Sequence, residues 1–205
     1  MAQTDEVLDE KTVDRDPLKL FRDWFNTAIA SGSRLPESMT LATATPEGKP
    51  SARVVLLKQA DADGFVFYTN YRSAKAKELD GNPQAALCFY WVGLDRQVRV
   101  EGRVERVSAA ESNEYFKTRP RESQLGALAS PQSEVIESRE VLEERLRTLE
   151  RAYQDREVER PAHWGGFRLT PERIEFWENR PGRLHDRIAY DLQADGSWSI
   201  KRLAP

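Results

Sequence analysis

The stretch Arg183-Leu184-His185-Asp186-Arg187 places four charged or titratable side chains within five residues, soon after an aromatic segment that ends at Trp177. Charged groups beside apolar sequence are costly unless each has a partner or a ligand. An imidazole titrates near neutral pH, so His185 suits proton transfer, although an isolated histidine is more often structural. Because side chains alternate along a strand, we expect the three basic residues to share one face, with Asp186 orienting them from the other. This stretch is therefore one wall of a candidate active site.

A second candidate is the run Arg53-Val54-Val55-Leu56-Leu57-Lys58, in which a basic residue stands at each end of an apolar strand. The run spans about 17 Å at ~3.3 Å per residue, which suits an elongated phosphorylated ligand lying along it. The alternative is a core strand whose charged ends reach into solvent. The run alone leaves both interpretations open.

A third candidate combines a phenol, a guanidinium and a hydroxyl at a spacing of four residues. Tyr115 and Arg119 would share a helix face, and Ser123 follows just beyond Pro120. These groups together can bind a phosphate, to which an arginine offers two parallel donors. A surface helix end with a capping serine would explain the same residues.

Weaker signals come from Tyr68-Thr69 at a predicted strand end, from Lys75 after it, and from Gln132-Ser133 in a polar loop. Strand ends and loops are where ligand contacts concentrate, but ordinary turn chemistry would also account for them. No dinucleotide, P-loop, nucleophile-elbow or metal-ligand spacing is present. Spacing alone therefore indicates a basic site that suits phosphate.

Composition limits the class of protein. The chain has 205 residues and a formal net charge of −3, which argues against a general nucleic-acid binder. Its one cysteine, Cys88, excludes an internal disulfide and a clustered-cysteine zinc site. No apolar run approaches the length of a membrane span, and the N-terminus lacks the features of a signal peptide. We expect a soluble cytoplasmic protein.

The sequence also predicts the helices that would position these candidate residues. Residues 1–15 are polar and aperiodic and are predicted to form a mobile arm, which leaves residues 16–205 as a single domain. Asp16-Pro17 predicts a helix start, and the helix should end near Ser31. Ser108 and Glu111 predict a capping box at the start of another helix. The further helices are predicted at residues 73–79, 108–119, 124–129 and 138–154.

Short β-branched or aromatic runs between turn signals predict the strands. The runs at 39–45, 52–58 and 65–69 are expected to form an antiparallel meander. The later strands are predicted at 85–91, 97–107, 165–169, 173–178, 185–192 and 198–203. Short strands of this kind, with helices inserted between them, favour a mainly β, α+β fold: a small antiparallel barrel with peripheral helices.

Taken in order, segments of the chain resemble the pyridoxamine 5′-phosphate oxidase family. No single segment is decisive, but the ordered set is specific and covers nearly the whole chain from Asp16 onward. The matching segments are Asp16-Pro17-Leu18, Arg53 through Lys58, Phe67-Tyr68-Thr69-Asn70, Arg96-Gln97-Val98, Tyr115-Phe116, Arg119 through Gln124, Gln132-Ser133, Trp164 through Arg168, Glu175-Phe176-Trp177, Arg183 through Arg187, and Arg202-Leu203-Ala204-Pro205.

The resemblance implies an FMN-binding split β-barrel that works as a homodimer, with FMN held between the subunits. It implies oxidation of pyridoxine or pyridoxamine 5′-phosphate to pyridoxal 5′-phosphate, with O2 as acceptor and H2O2 as product. It further implies contacts to the substrate phosphate and to FMN. The substrate contacts would be Lys58, Tyr115, Arg119 and Ser123, with Arg183 and His185 at the substrate ring and reacting carbon. The FMN contacts would be Arg53, Val54, Val55, Leu56, Leu57, Lys58, Tyr68, Thr69, Lys75, Gln97, Gln132, Ser133, Trp177 and Arg187.

Two departures from the family pattern stand out. Ala74 occupies the place of an arginine expected at the FMN phosphate, and Arg72, two residues earlier, is the candidate to compensate for it. Residues 1–15 lack the Arg-x-x-Tyr lid motif that many members carry. Two alternative functions follow: a related split-barrel flavin oxidase of the phenazine type, and a non-catalytic FMN or pyridoxal-phosphate binding protein.

Overall fold

The predicted β-rich runs form one antiparallel sheet of nine strands, which the computed structural model describes within residues 8–205. The sheet order is β2-β1-β5-β6-β7-β4-β3, and β8 and β9 branch from β7. The strands are β1 (Ser38–Ala44), β2 (Pro50–Leu56), β3 (Gln59–Asp61), β4 (Gly64–Asn70), β5 (Gln84–Trp91), β6 (Arg96–Arg106), β7 (Trp164–Glu178), β8 (Asp186–Leu192) and β9 (Trp198–Arg202).

The central strand is β7, which runs through 15 residues and joins two parts of the sheet. Its first half pairs with β4, its second half pairs with β8, and its other edge pairs with β6. The prediction of two separate strands at 165–169 and 173–178 is therefore wrong. Pro171 lies at the register shift opposite Gly102, and a bulge accommodates a residue that cannot donate a ladder hydrogen bond.

The predicted meander of the first three strands is also wrong. β2 pairs only with β1, whereas β4 pairs with β7 and with the short strand β3, which was not predicted. β2 is therefore an edge strand. Sequence neighbours often pair in sheets, but here the partner of β4 lies about a hundred residues away.

Five α-helices decorate the sheet. They are α1 (Pro17–Ala30), α2 (Ala74–Gly81), α3 (Ala109–Thr118), α4 (Arg121–Ala129) and α5 (Arg139–Ala152). The helix starts predicted at Asp16 and Ser108 are confirmed, because Asp16 accepts the Leu18 N–H at 2.9 Å and Ser108 accepts the Glu111 N–H at 3.0 Å, whereas α4 begins at Arg121 and not at residue 124. No helix among residues 8–205 is both long and apolar enough to cross a membrane.

The main core lies between α1 and the concave side of the sheet. Phe21 packs edge-on against Phe65, with ring centroids 4.9 Å apart, and Trp24 packs edge-on against Phe176 at 5.2 Å. A smaller cluster joins α3 and α4 to the start of β7 through Phe116, Leu125 and Trp164. The second cluster fixes α3 and α4 beside the ends of β2 and β4.

Residues 8–15 pack on the barrel instead of extending freely as the arm prediction expects. Leu8 is buried, its carbonyl accepts from Arg202 at 2.7 Å, and Glu10 pairs with Arg202 at 2.8 Å. The Asp14 carbonyl accepts from the Tyr190 hydroxyl at 2.8 Å. The remainder of the predicted arm, residues 1–7, lies outside the described residues.

Candidate functional site

A cleft of about 640 Å³, here called the basic cleft, opens between β2, the end of β4, and helices α2, α3 and α4. Twelve of the predicted site residues line it, so three candidate groups from distant parts of the sequence form one site. These residues are Arg53, Val54, Val55, Leu56, Lys58, Tyr68, Thr69, Lys75, Tyr115, Arg119, Ser123 and Gln132.

β2 lines this cleft as an exposed edge strand. None of its residues is buried, and Val54 is 65% exposed, so the alternative of a core strand is wrong. Leu57, directly after the strand, is only 6% exposed and packs into the main core. Its side chain therefore does not face the cleft.

Arg53 is held by a polar network that fixes its guanidinium. Its Nη2 donates to the Ser51 hydroxyl at 2.7 Å and to the Glu78 carboxylate at 3.0 Å. Its Nη1 donates to the Thr43 hydroxyl, which in turn donates to Glu78. The network sets the orientation of a cation at the mouth of the cleft before any ligand binds.

Lys75 and Gln132 meet at Thr69. The Lys75 ammonium donates to the Thr69 hydroxyl at 3.2 Å and to the Gln132 amide oxygen at 3.3 Å, and Thr69 donates to the same oxygen at 3.1 Å. Burial, and then the nearby Arg53 cation, lower the pKa of Lys75. Both effects disfavour the protonated form of Lys75, and a bound anion would stabilise it.

Arg119 carries the clearest sign of a missing ligand. Its Nη1 is buried and has no hydrogen-bond partner among the described residues. Burial lowers its pKa. An unpaired buried donor on a cation is costly, which marks this guanidinium as a candidate contact for an anionic ligand.

Trp164 also lines the cleft, and sequence reasoning did not select it as a site residue. It is 6% exposed and stacks on Tyr68, with ring centroids 5.3 Å apart. Burial raises the pKa of Tyr68 to about 12, so the phenol stays protonated at neutral pH. The signal available in the sequence is the Trp164-Gly165-Gly166 run, where the glycines permit close ring packing.

The chemistry of the cleft suits a phosphate. Four cations line it, namely Arg53, Lys58, Lys75 and Arg119, and no carboxylate lies among its described lining residues. Hydroxyl donors accompany the cations on α3, on α4 and on β4. Charge-assisted donors of this kind are what a phosphate dianion requires.

Five of the remaining predicted residues lie on or beside β7 and β8 and are here called the β7–β8 group: Gln97, Trp177, Arg183, His185 and Arg187. Gln97 is the register partner of Trp177, which is the register partner of Arg187, so the three lie in one row across neighbouring strands. The His185 ring packs against Trp177 at 4.7 Å. Arg187 pairs with the buried Glu175 at 2.8 Å. No member of this group lines the basic cleft of the same chain.

The expected shared face of the three basic residues at 183–187 is wrong. Arg183 lies in a 3-10 turn (Pro181–Arg183) with φ of 63°, and β8 begins only at Asp186. Asp186 does orient basic side chains, but its partners are Arg180 at 2.6 Å and Arg202 at 2.8 Å. Arg183 is exposed on the surface of the turn and is not one of these partners.

His185 has a defined hydrogen bond on one ring nitrogen. Its Nδ1 accepts the backbone N–H of Arg180 at 3.2 Å. A backbone N–H can only donate, so the neutral ring carries its proton on Nε2. The free side of the imidazole is therefore a donor, which suits binding to an oxygen better than removal of a proton.

Two further predicted residues, Ser133 and Arg72, lie in neither the basic cleft nor the β7–β8 group. Ser133 is exposed, has φ of 72°, and does not line it. Arg72 is exposed and lines a separate cleft of about 860 Å³ together with His163. The structure therefore gives no compensation by Arg72 for the cation absent at Ala74.

Comparison with sequence families identifies the region that builds this site. Residues 25–153 match the family described as pyridoxamine 5′-phosphate oxidase, and residues 164–205 match a pyridoxine 5′-phosphate oxidase C-terminal dimerisation region. A Microcystis aeruginosa protein named pyridoxine/pyridoxamine 5′-phosphate oxidase is 57% identical over 201 residues, or 98% of this chain and 94% of that protein. A protein of the same name from Rubrobacter xylanophilus is 56% identical over 198 residues, which cover 97% of this chain and 91% of that protein.

Solved structures give the same fold. PhzG from Burkholderia lata, in complex with tetrahydrophenazine-1-carboxylic acid, superposes with a TM-score of 0.92 at 28% identity, covering 98% of each chain. A pyridoxamine 5′-phosphate oxidase-related, FMN-binding protein from Nostoc punctiforme superposes with a TM-score of 0.74 at 19% identity, covering 94% of this chain and 100% of that chain. The predicted split-barrel fold class is confirmed.

Proposed function

The chain belongs to the pyridoxamine 5′-phosphate oxidase family, and from that premise we propose that it oxidises pyridoxine and pyridoxamine 5′-phosphate to pyridoxal 5′-phosphate. The enzyme class is an FMN-dependent oxidoreductase. FMN, when bound, supplies a two-electron acceptor that O2 regenerates with release of H2O2. The substrate carbon gives up a hydride and the attached alcohol oxygen or amine nitrogen gives up a proton, and water then releases ammonia from the imine formed from the amine substrate.

The observation that carries this proposal is the unpartnered, buried Nη1 of Arg119 in a cleft lined by four cations and no described carboxylate. Lys58, Tyr115 and Ser123 line the same cleft. We assign these four side chains to the substrate phosphate. Their hydrogen bonds would hold one end of the substrate, which leaves the other end free to be oriented for hydride transfer.

We assign the cofactor to the other side of the cleft and to the β7–β8 group. Arg53, Lys75 and the hydroxyl of Thr69 suit the FMN phosphate. Val54, Val55, Leu56, Tyr68 and Gln132 line the wall beside them. Leu57 can take part only through its backbone, because its side chain is buried in the core. The contacts assigned to Gln97, Ser133, Trp177 and Arg187 require a surface outside this cleft.

A homodimer supplies that surface. The C-terminal match is to a dimerisation region, and the site residues fall into two groups that one chain does not bring together. β2 carries exposed apolar residues at its free edge, as an interface strand would. We propose that the basic cleft of one subunit faces the β7–β8 group of the other, with Arg183 and His185 at the substrate.

The donor proton on Nε2 gives His185 a specific part in this arrangement. Its N–H can hold a substrate oxygen while its Nδ1 is occupied by the Arg180 backbone. Arg183, exposed on the adjacent turn, can cover the substrate from the same side. Both residues then position the substrate carbon, and the proton released in the reaction leaves by another route.

The resemblance to PhzG supports a second candidate, oxidation of a phenazine precursor that carries a carboxylate. One assay separates the candidates. The FMN-loaded protein is given pyridoxine 5′-phosphate, pyridoxamine 5′-phosphate, unphosphorylated pyridoxine or a reduced phenazine carboxylate, and H2O2 and pyridoxal 5′-phosphate are measured. We expect product from the two phosphorylated compounds and a large loss of kcat/KM for them in Arg119→Met. Turnover of the phenazine substrate alone would favour the second candidate, and no turnover of any substrate would favour a binding protein.

A further inference from the structure

Three aromatic rings from three elements form a stack beside the basic cleft, here called the aromatic stack. Tyr115 of α3 lies on Tyr68 of β4, with centroids 4.0 Å apart and planes inclined by 19°. The Trp164 ring of β7 lies 5.3 Å from the Tyr68 ring and 6.2 Å from the Tyr115 ring, with planes inclined by 11° and 8°. All three rings contribute to the lining of the cleft. The stack therefore joins the wall of the cleft to the start of the central strand.

Arg119 rests on the same tryptophan. Its guanidinium carbon lies 4.5 Å from the centre of the Trp164 ring and 5.6 Å from that of Phe116. Among the described residues no carboxylate comes within ion-pair distance of Arg119. An aromatic face attracts a cation without neutralising it. The ring thus fixes the guanidinium while leaving its charge unneutralised and one buried donor unpartnered.

The backbone around Trp164 is itself tightly fixed. Its N–H donates to the Pro161 carbonyl at 3.0 Å, and it is the register partner of Asn70 at the end of β4. A Cβ on Gly166 would lie 2.8 Å from a ring carbon of Tyr68. A Cβ on Gly165 would lie 2.2 Å from the Tyr71 hydroxyl. The two glycines therefore allow the neighbouring strand and its rings to lie close to this segment.

We propose that Trp164 is the positioning residue of the phosphate subsite. Its ring contacts the Arg119 guanidinium and packs beside both tyrosine rings, so it positions two of the four assigned phosphate contacts, Arg119 and Tyr115. This inference rests on the proposed function. An aromatic ring stands beside Arg119 where a carboxylate would otherwise neutralise it. Because the guanidinium keeps its charge, the subsite favours a dianionic phosphate monoester over a neutral alcohol.

The molecule contains a matched control for this arrangement. Arg96 lies 4.5 Å from the centre of the Trp24 ring, and Trp24 is 5% exposed, which is nearly the same as Trp164. Arg96, however, pairs with Glu178 at 2.8 Å. Replacing either tryptophan removes a buried ring beneath an arginine, but only Trp164 stands beside an arginine with an unpartnered donor.

The test compares Trp164→Leu and Trp164→Phe with Trp24→Leu, all loaded with FMN. Binding of inorganic phosphate is measured by calorimetry, and kcat and KM are measured with pyridoxine 5′-phosphate. We expect phosphate affinity to fall about tenfold or more in Trp164→Leu and about threefold in Trp164→Phe, with KM rising in parallel and kcat little changed. Trp24→Leu should lose thermal stability and keep the phosphate affinity of the wild type.

Phosphate affinity equal to that of the wild type in a folded Trp164→Leu protein would overturn the inference. If that variant does not fold, Trp164→Phe decides in the same way. A fall in kcat with no change in KM or in phosphate affinity would also contradict a positioning role. Failure of the proposed function gives a different pattern: the wild type would form no H2O2 from pyridoxine 5′-phosphate, whatever the phosphate affinity of the variants.

Discussion

Lys75 illustrates how a binding site opposes the stability of its own fold. Its pKa is lowered by burial and by the nearby Arg53, so the protonated amine is less favourable in the folded chain than in the unfolded chain. A base whose folded pKa is depressed destabilises the fold at pH values below that pKa, and the effect disappears as the pH rises above the unfolded value. At neutral pH, below the pKa of the unfolded chain, the apo-protein carries this cost, which a bound phosphate would offset.

We expect Lys75→Met to raise the melting temperature of the apo-protein by about a degree or two while weakening FMN binding about tenfold or more. Calorimetric melting of the apo-protein and FMN titration by fluorescence quenching measure the two effects. Lys77→Met is the control, because Lys77 is exposed on the same helix. A lower melting temperature combined with unchanged FMN affinity would show that Lys75 is structural.

At His185 the structure favours a donor over a base, because Nδ1 already accepts from the Arg180 N–H. We expect His185→Asn, which retains an N–H donor, to keep kcat within about threefold and to raise KM. The pH profile of kcat should keep its shape. The control is His163→Asn at the only other histidine in the chain. A fall in kcat of about a hundredfold with loss of one limb of the pH profile would restore the general-base role.

For the secondary-structure elements, helix caps could be predicted from the sequence, but long-range strand pairing could not. Asp16 before Pro17 and Ser108 before Glu111 act within one helical turn, so their residue types decide the outcome locally. The strands predicted separately at 165–169 and 173–178 are one strand, because the missing N–H of Pro171 is tolerated at a bulge formed with a strand some seventy residues earlier. No local signal reports such a partner.

Gly102 shows what this bulge requires. A Cβ at Gly102 would lie 2.1 Å from the Thr170 carbonyl oxygen, whereas a Cβ at Gly93 would meet nothing within 4 Å. We expect Gly102→Ala to lower the free energy of unfolding by about 2 kcal/mol or more, and Gly93→Ala to change it by no more than about 0.5 kcal/mol. Denaturant titrations at equal protein concentration compare the two. Equal changes in the free energy of unfolding for the two variants would mean that the backbone at the β6–β7 bulge shifts to accommodate the added methyl group without cost.

For the whole molecule, the resemblance predicted a site between subunits, and the single chain is consistent with that. Twelve site residues converge on the basic cleft, while Gln97, Trp177, Arg183, His185 and Arg187 do not line it. Spacing along the sequence could not reveal this division, because the barrel determines which strands face one another. Trp164 could not be predicted as a site residue for a related reason: it lines the site by packing beside rings on β4 and α3, which are distant in the sequence.

An exposed apolar surface near β2 offers a test of the assembly. Leu35, Val54, Tyr90 and Val92 are all more than half exposed and line one broad cleft of about 1160 Å³. We expect Val92→Asp to shift the protein toward monomer and to weaken FMN binding, because a charge would enter the proposed interface. Sedimentation velocity measures the assembly. Val135→Asp at a fully exposed valine is the control, and dimers of equal stability in both variants would place the interface elsewhere.

The central claim is that this chain oxidises phosphorylated B6 vitamers at a site whose phosphate contact is Arg119. The most direct test measures H2O2 and pyridoxal 5′-phosphate together after pyridoxine 5′-phosphate is added to the FMN-loaded wild type and to Arg119→Met. We expect one H2O2 for each pyridoxal 5′-phosphate formed by the wild type, and a kcat/KM reduced about a hundredfold in the variant. Absence of both products from the wild type with FMN bound would contradict the account, and so would equal kcat/KM in the two proteins.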